Sequence, residues 1–217
     1  MKKRLALRVL FYGIGTLLLA IGLTLNSKTG LGTAPIITMP FAISAILHVN
    51  FASMVFLFYV IMTCLQFWMR GKKRSWKIFL QFPFSMVFSV LLDFFGAAFD
   101  FYFAELWKNV LLLFVAMLCT AIGVSMMVNM KIITNPADGF AQTVGEVLQR
   151  GVGFGKNVVD LSFVVLTCLI CFFFHDELVG VGIGTAISMI GVGRFIALFQ
   201  HFFRRKMLSS VGLGEPK

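Results

Sequence analysis

Short segments of this chain return at a nearly fixed spacing. Ala20-Ile21-Gly22 and Thr33-Ala34-Pro35 recur as Ala121-Ile122-Gly123 and Thr134-Asn135-Pro136 at an offset of 101, and Thr63-Cys64-Leu65 recurs as Thr167-Cys168-Leu169 at an offset of 104. A spacing close to half the chain makes duplication the simplest account. Each half holds three apolar spans, and after an odd number of crossings the second copy enters the bilayer upside down relative to the first. Inverted halves of this kind are a mark of transporters.

A 217-residue globule cannot bury a chain that is 59% hydrophobic, 13% charged and has a mean hydropathy of +0.93, so the class is an integral membrane protein. The net charge of +10 sits in short clusters beside apolar spans, which reads as membrane topology rather than nucleic-acid binding. Cys64, Cys119, Cys168 and Cys171 all fall inside apolar stretches, where a thiol behaves as a small hydrophobe. Cys168 and Cys171 share a helix face, but no further ligands accompany them to complete a zinc site. Neither a metal nor a cofactor is expected.

A spanning helix needs roughly 20 mostly apolar residues. Six stretches qualify, at about 9–25, 51–69, 78–98, 110–128, 158–174 and 178–199. The basic leader Met1-Lys2-Lys3-Arg4 resembles the start of a secretory signal, but no small-residue cleavage site follows, so the first span is read as retained. Lys2, Lys3, Arg4 and Arg8 precede span one. Arg70, Lys72, Lys73, Arg74 and Lys77 join spans two and three, Lys131, Arg150 and Lys156 lie between four and five, and Arg204, Arg205, Lys206 and Lys217 follow six. Basic residues stay cytoplasmic, which places all four groups and both termini on that side of a bacterial cytoplasmic membrane. Lys28, Lys108, Asp100, Glu105, Asp176 and Glu177 fall on the other. Trp68, Trp76, Tyr102 and Trp107 mark the two interfaces, where amphipathic rings settle.

The expected fold is therefore all-α: six transmembrane helices as two inverted three-helix repeats, about 5–98 and 109–200, within one membrane domain. Each repeat carries a re-entrant half-helix. The connectors 26–50 and 129–157 are too long for tight turns, and in each a Thr-x-Pro element opens a helical stretch, 35–48 and 136–149. Proline suits a helix's first turn, and Thr33, Thr134 or Asn135 can accept the free amides there. Non-helical backbone at membrane depth survives only when buried in protein or lining water. Two half-helices starting near mid-bilayer would aim their partial positive charges at a shared cavity. Asn26, Thr33, Asn129, Thr134 and Asn135 are the residues placed to meet a substrate there.

Four acidic residues and one arginine stand at membrane depth, where ionised groups are costly and functional. Asp93 lies in the third span, either near the outer headgroups or paired with Arg194 of the sixth. Asp138, Gln142 and Glu146 form a polar stripe on the second half-helix, lining an aqueous cleft if that segment dips into the membrane and a solvated face if it does not. Asp160 follows Lys156 by four residues, a spacing that gives an i, i+4 pair or a gate. Asp93, Glu146, Asp160 and Arg194 are the candidates for ion coupling or gating, and Asp138 and Gln142 for substrate contact.

Several of these residues belong to an ordered set. Asn135-Pro136-Ala137-Asp138-Gly139 is followed by Gly153-Phe154-Gly155-Lys156 with Asp160, then Gly182-Ile183-Gly184-Thr185, then Phe195-Ile196-Ala197-Leu198-Phe199, and Leu31-Gly32-Thr33-Ala34-Pro35 matches in the first half. In this the chain resembles the YczE/YyaS/YitT-like family of bacterial multi-pass membrane proteins. Two positions depart from the pattern: Ile36, where the family often has an aromatic, and Gly193-Arg194, where a Gly-Pro pair is common. The resemblance implies a multi-pass fold and a transport-like role.

The expected function is a secondary transporter or exporter of a small solute, proton- or cation-coupled, since no Gly-x4-Gly-Lys nucleotide loop is present. The alternative is a scaffold or substrate-capture subunit, as a homo-oligomer or with a partner subunit, using the basic loop 70–77 or binding anionic lipid through it. An enzyme is not expected: the chain has no Gly-x-Ser-x-Gly and no His-Glu-x-x-His. The bilayer is the expected partner, and nucleic acid is not.

Overall fold

The computed structural model describes residues 2–73, 75–174 and 177–213. Arg74, Asp176 and Lys217, and the side chains of Lys2, Lys3 and Lys73, lie outside what it describes. Eight α-helices follow in order: α1 (Lys2–Ser27), α2 (Pro35–Leu47), α3 (Phe51–Met69), α4 (Gln81–Ala98), α5 (Leu106–Met130), α6 (Pro136–Val147), α7 (Gly151–Phe174) and α8 (Ile183–Ser210). Two 3-10 turns, Gly71–Lys73 and Trp76–Leu80, join α3 to α4. Among the described residues there is no strand. Six helices are long and apolar enough to cross a bilayer, and α2 and α6 are the two short ones.

The span positions expected from hydropathy hold; most ends run longer than expected, and the last span starts later, at Ile183 instead of 178, after the turn at Gly180. Hydropathy registers the part of a helix that lipid would touch, whereas the backbone stays helical until something stops it. The last span accordingly runs to Ser210, carrying His201, Arg204 and Arg205 as a polar extension. The fifth begins at Gly151 instead of 158, because its glycine-rich first turns lie against α6: a methyl added to Gly145 or Gly155 would collide with backbone of the other helix. Helix α5 stops at Lys131, which takes a left-handed conformation. Arg8 of α1 donates to the carbonyls of Met130 and Lys131 at 2.5 and 2.8 Å, satisfying end groups that the helix cannot.

Small residues set the central crossing. Gly15 of α1 lies against Gly123 of α5, and Gly22 lies against Ala116 and Thr120, so the two helices run antiparallel. A methyl on Gly22 would sit 2.6 Å from the Thr120 nitrogen, and one on Gly123 would sit 2.6 Å from the Leu19 nitrogen. Close backbone approach of this kind is how helices associate where lipid removes the hydrophobic drive. Around this pair, α4 packs on α1 and α8 on α5, while α2 and α6 each pack against both α3 and α7. Tyr59, Phe88, Ile37 and Met62 fill the buried centre. Helices α3 and α4 lie along one another, whereas α7 and α8 barely meet.

The two ends of the bundle differ in charge. Arg4 beside Gly212, Arg8 on Lys131, and Arg70 on Glu146 make one end basic. At the opposite end Lys108 pairs with Glu105 at 2.9 Å, holding that fully exposed carboxyl below its ordinary range.

Candidate functional site

The starts of the two short helices meet. Ala34, Pro35 and Ile36 of the first connector and Asn135, Ala137 and Asp138 of the second line one cavity of about 50 Å³, room for a few water molecules. Helices α1, α5 and α8 close it with apolar side chains, Leu19, Val124, Val192 and Ile196 among them. Tyr59, Ser188, Lys156 and Asp160 supply further polar atoms.

Local sequence explains why both starts fall there. Pro35 and Pro136 occupy the first turn of α2 and α6, where a missing N–H costs nothing. Asn135 caps α6, its Oδ1 accepting from Ala137 N at 3.1 Å. The capping role expected of Thr33 and Thr134 is not taken up. Ala34 caps α2 with no side-chain bond, Thr134 is exposed, and Thr33 donates both its N–H (2.8 Å) and its hydroxyl (3.1 Å) to the Gly180 carbonyl.

The charged group is a triad. Lys156 Nζ lies 3.2 Å from Asp160 Oδ2, one turn along α7, and Asp138 of α6 lines the same cavity. Asp160 forms the expected i, i+4 pair, with Asp160 itself only 3% exposed and the Lys156 side chain a third exposed. Its Oδ1 has no hydrogen-bond partner, and neither has the buried Tyr59 hydroxyl. Unfilled buried polar atoms cost roughly 1–3 kcal/mol each. Two of the buried unpartnered atoms among the described residues line this cavity, and the others, on Thr24, Asn26, Asn109, Ser125 and Asn129, belong to residues outside its lining.

The remaining expected residues scatter. Asn26 is buried beside the cavity's rim, donating to Ser188 Oγ at 3.1 Å, and Asn129 is buried in the last turn of α5. Gln142 and Thr134 line a separate cleft of about 310 Å³ at the basic end, with Arg70, Lys77 and the mutually bonded Gln66 and Gln81. Glu146, exposed, accepts from Gln142 at 2.8 Å and pairs with Arg70 at 3.4 Å. The polar stripe on α6 thus splits, Asp138 to the central cavity, Gln142 to the cleft and Glu146 to its exposed pair with Arg70. The Asp93–Arg194 pair does not form. Asp93 accepts from Asn50 Nδ2 at 2.6 Å at the opposite end, while Arg194 is exposed two residues from both Val192 and Ile196, on the face of α8 turned from the cavity.

Sequence reasoning missed Lys156, Tyr59 and Ser188 as cavity residues. Lys156 carried a signal, its spacing to Asp160; Tyr59 and Ser188 carried none, since only tertiary packing brings them there.

Six bilayer-length helices around a buried charged cavity define a multi-pass membrane protein. The model of a family of unknown function, DUF6198, matches residues 6–201, and the chain belongs to that family. It is also 22% identical over 205 residues to "Uncharacterized protein YyaS" of Bacillus subtilis (strain 168), covering 94% of this chain and 97% of the relative, which agrees with the resemblance read from the motifs. No solved structure matches.

Proposed function

We propose that the protein is a secondary transporter of a small solute that exchanges access to the central cavity between the two sides of a bacterial cytoplasmic membrane. The observation that carries this reading is the meeting of the α2 and α6 starts around one cavity with a charged triad, the arrangement expected where discontinuous helices form a substrate site. Re-entry accounts for it: α2 runs from the cavity to the opposite end, where Asn50 caps α3, and α6 runs from the cavity to the basic end, where Arg70 meets it.

Duplication with inversion fits the packing. Under it α1, α2, α3 and α4 correspond to α5, α6, α7 and α8. The antiparallel α1–α5 crossing is then the axis of the pseudo-two-fold, and the pairing of α2 with α7 mirrors that of α6 with α3. Placing the basic end in the cytoplasm puts both termini there. The cavity in this state opens toward the basic end, because Lys156, in the second turn of α7, remains a third exposed. Asp138 and Asp160 would sense solute or coupling ion, and rocking of one half against the other would move the opening.

Purified protein in proteoliposomes should show solute flux that depends on an imposed proton or cation gradient and falls at least tenfold in Asp138→Asn. Flux that is absent, or unchanged in that variant, would refute the reading.

A further inference from the structure

We infer that the central cavity takes a compact organic cation, a small protonated amine, with Asp160 Oδ1 and the Asp138 carboxylate as its receptors. The inference rests on the transport reading and names its solute.

Two helix N-termini facing a cavity would ordinarily hold an anion. Here several of their donors have been removed or filled. Pro35 and Pro136 have no N–H. Ala137 N is taken by the Asn135 side chain, Gly139 N by the Asn135 carbonyl at 2.8 Å, and Ile37 N by the Ala34 carbonyl at 3.0 Å. Lys156, the one cation on the cavity wall among the described residues, is held by Asp160 Oδ2.

Beside the Tyr59 hydroxyl, what remains unfilled among the side chains is acceptor. Asp160 Oδ1 is buried without a partner, on a side chain 4% exposed. Asp138 makes no hydrogen bond among the described residues. Pro40 lies inside α2, and because it has no N–H the carbonyl of Ile36, a cavity residue, lacks its partner one turn on. Two carboxyl groups stand against one ammonium. A ligand that fills the free Asp160 oxygen brings a donor, and a positive charge complements the surplus of acidic groups. The rest of the wall is apolar, with Leu19, Leu23, Val124, Val192 and Ile196, and accepts a short alkyl body. A primary ammonium group offers three donors on one small head, and pairing it with a desolvated carboxylate gives the stronger, charge-assisted kind of hydrogen bond.

The test is calorimetric titration of the purified full-length protein with propylammonium, propionate and 1-propanol, which share size and differ in charge. Propylammonium should bind at least tenfold more tightly than either, and Asp160→Asn and Asp138→Asn should each weaken it at least tenfold. Asp138 holds no ion pair, so its variant decides the matter if Asp160→Asn fails to fold. Tighter binding of propionate, no binding of propylammonium, or affinity unchanged in a folded Asp138→Asn protein would overturn the inference. Asp138-dependent flux of another solute without propylammonium binding would remove the substrate class and leave transport standing. Propylammonium binding without flux would do the reverse.

Discussion

The segments that lead into α2 and α6 have the same design and opposite fastening. At the end away from the basic cluster, the strand of chain before α2 is tied to the strand before α8 by backbone: Thr33 N–H to Gly180 carbonyl at 2.8 Å, Gly184 N–H to Leu31 carbonyl at 2.7 Å. Gly32 makes this possible. Its φ is +102°, and a side chain there would begin 2.5 Å from the Gly182 nitrogen. At the basic end the segment before α6 borders an open cleft of about 310 Å³, and its ties are made by side chains: Arg70 to Thr143 at 3.0 Å and to Glu146 at 3.4 Å, Gln66 to the Pro136 carbonyl at 3.0 Å and Tyr12 to the Ile133 carbonyl at 3.0 Å. A backbone tie requires one geometry and releases as a unit, whereas long side chains part gradually. The difference leaves one end sealed by backbone and the basic end fastened by side chains.

Substitutions should rank accordingly. Gly32→Val combines a positive-φ strain with overpacking, each roughly 1–3 kcal/mol, and should lower the thermal unfolding midpoint in detergent more than any change at the basic end. Thr33→Val keeps the backbone tie and removes one hydroxyl bond, so a loss of about 1 kcal/mol is expected in the same measurement. Arg70→Gln breaks a partly exposed ion pair and should cost less than about 1 kcal/mol. Gln142→Ala removes an exposed contact with Glu146 and should fall within about 0.5 kcal/mol of the parent protein. An Arg70 variant less stable than Gly32→Val would reverse the assignment of the two ends.

Much of the fold was legible because apolarity alone sets the length and number of spanning helices, and the paired Thr-x-Pro elements announced both short helices. The site was legible in part. Asp138 and Asp160 stood out because carboxylates in apolar sequence need a reason. Lys156 did not, since a lysine near a span edge reads as a topology signal, and that explanation was sufficient without the cavity. Thr33 was misplaced because its partner, Gly180, lies 147 residues away, and a hydroxyl near a helix start looks the same whether it faces a ligand or a loop. Asp93 and Arg194 were paired on charge and depth, but α4 and α8 pack on different partners, α1 and α5.

The central claim is that both short helices start in one cavity closed at the sealed end. Single cysteines at Ile36 and Ala137, placed in protein freed of Cys64, Cys119, Cys168 and Cys171, test it directly with a membrane-impermeant thiol reagent applied to each side of oriented vesicles. Both positions should react from the side of the basic end and be protected from the other. Reaction of the two positions from opposite sides, or from neither, would contradict the account.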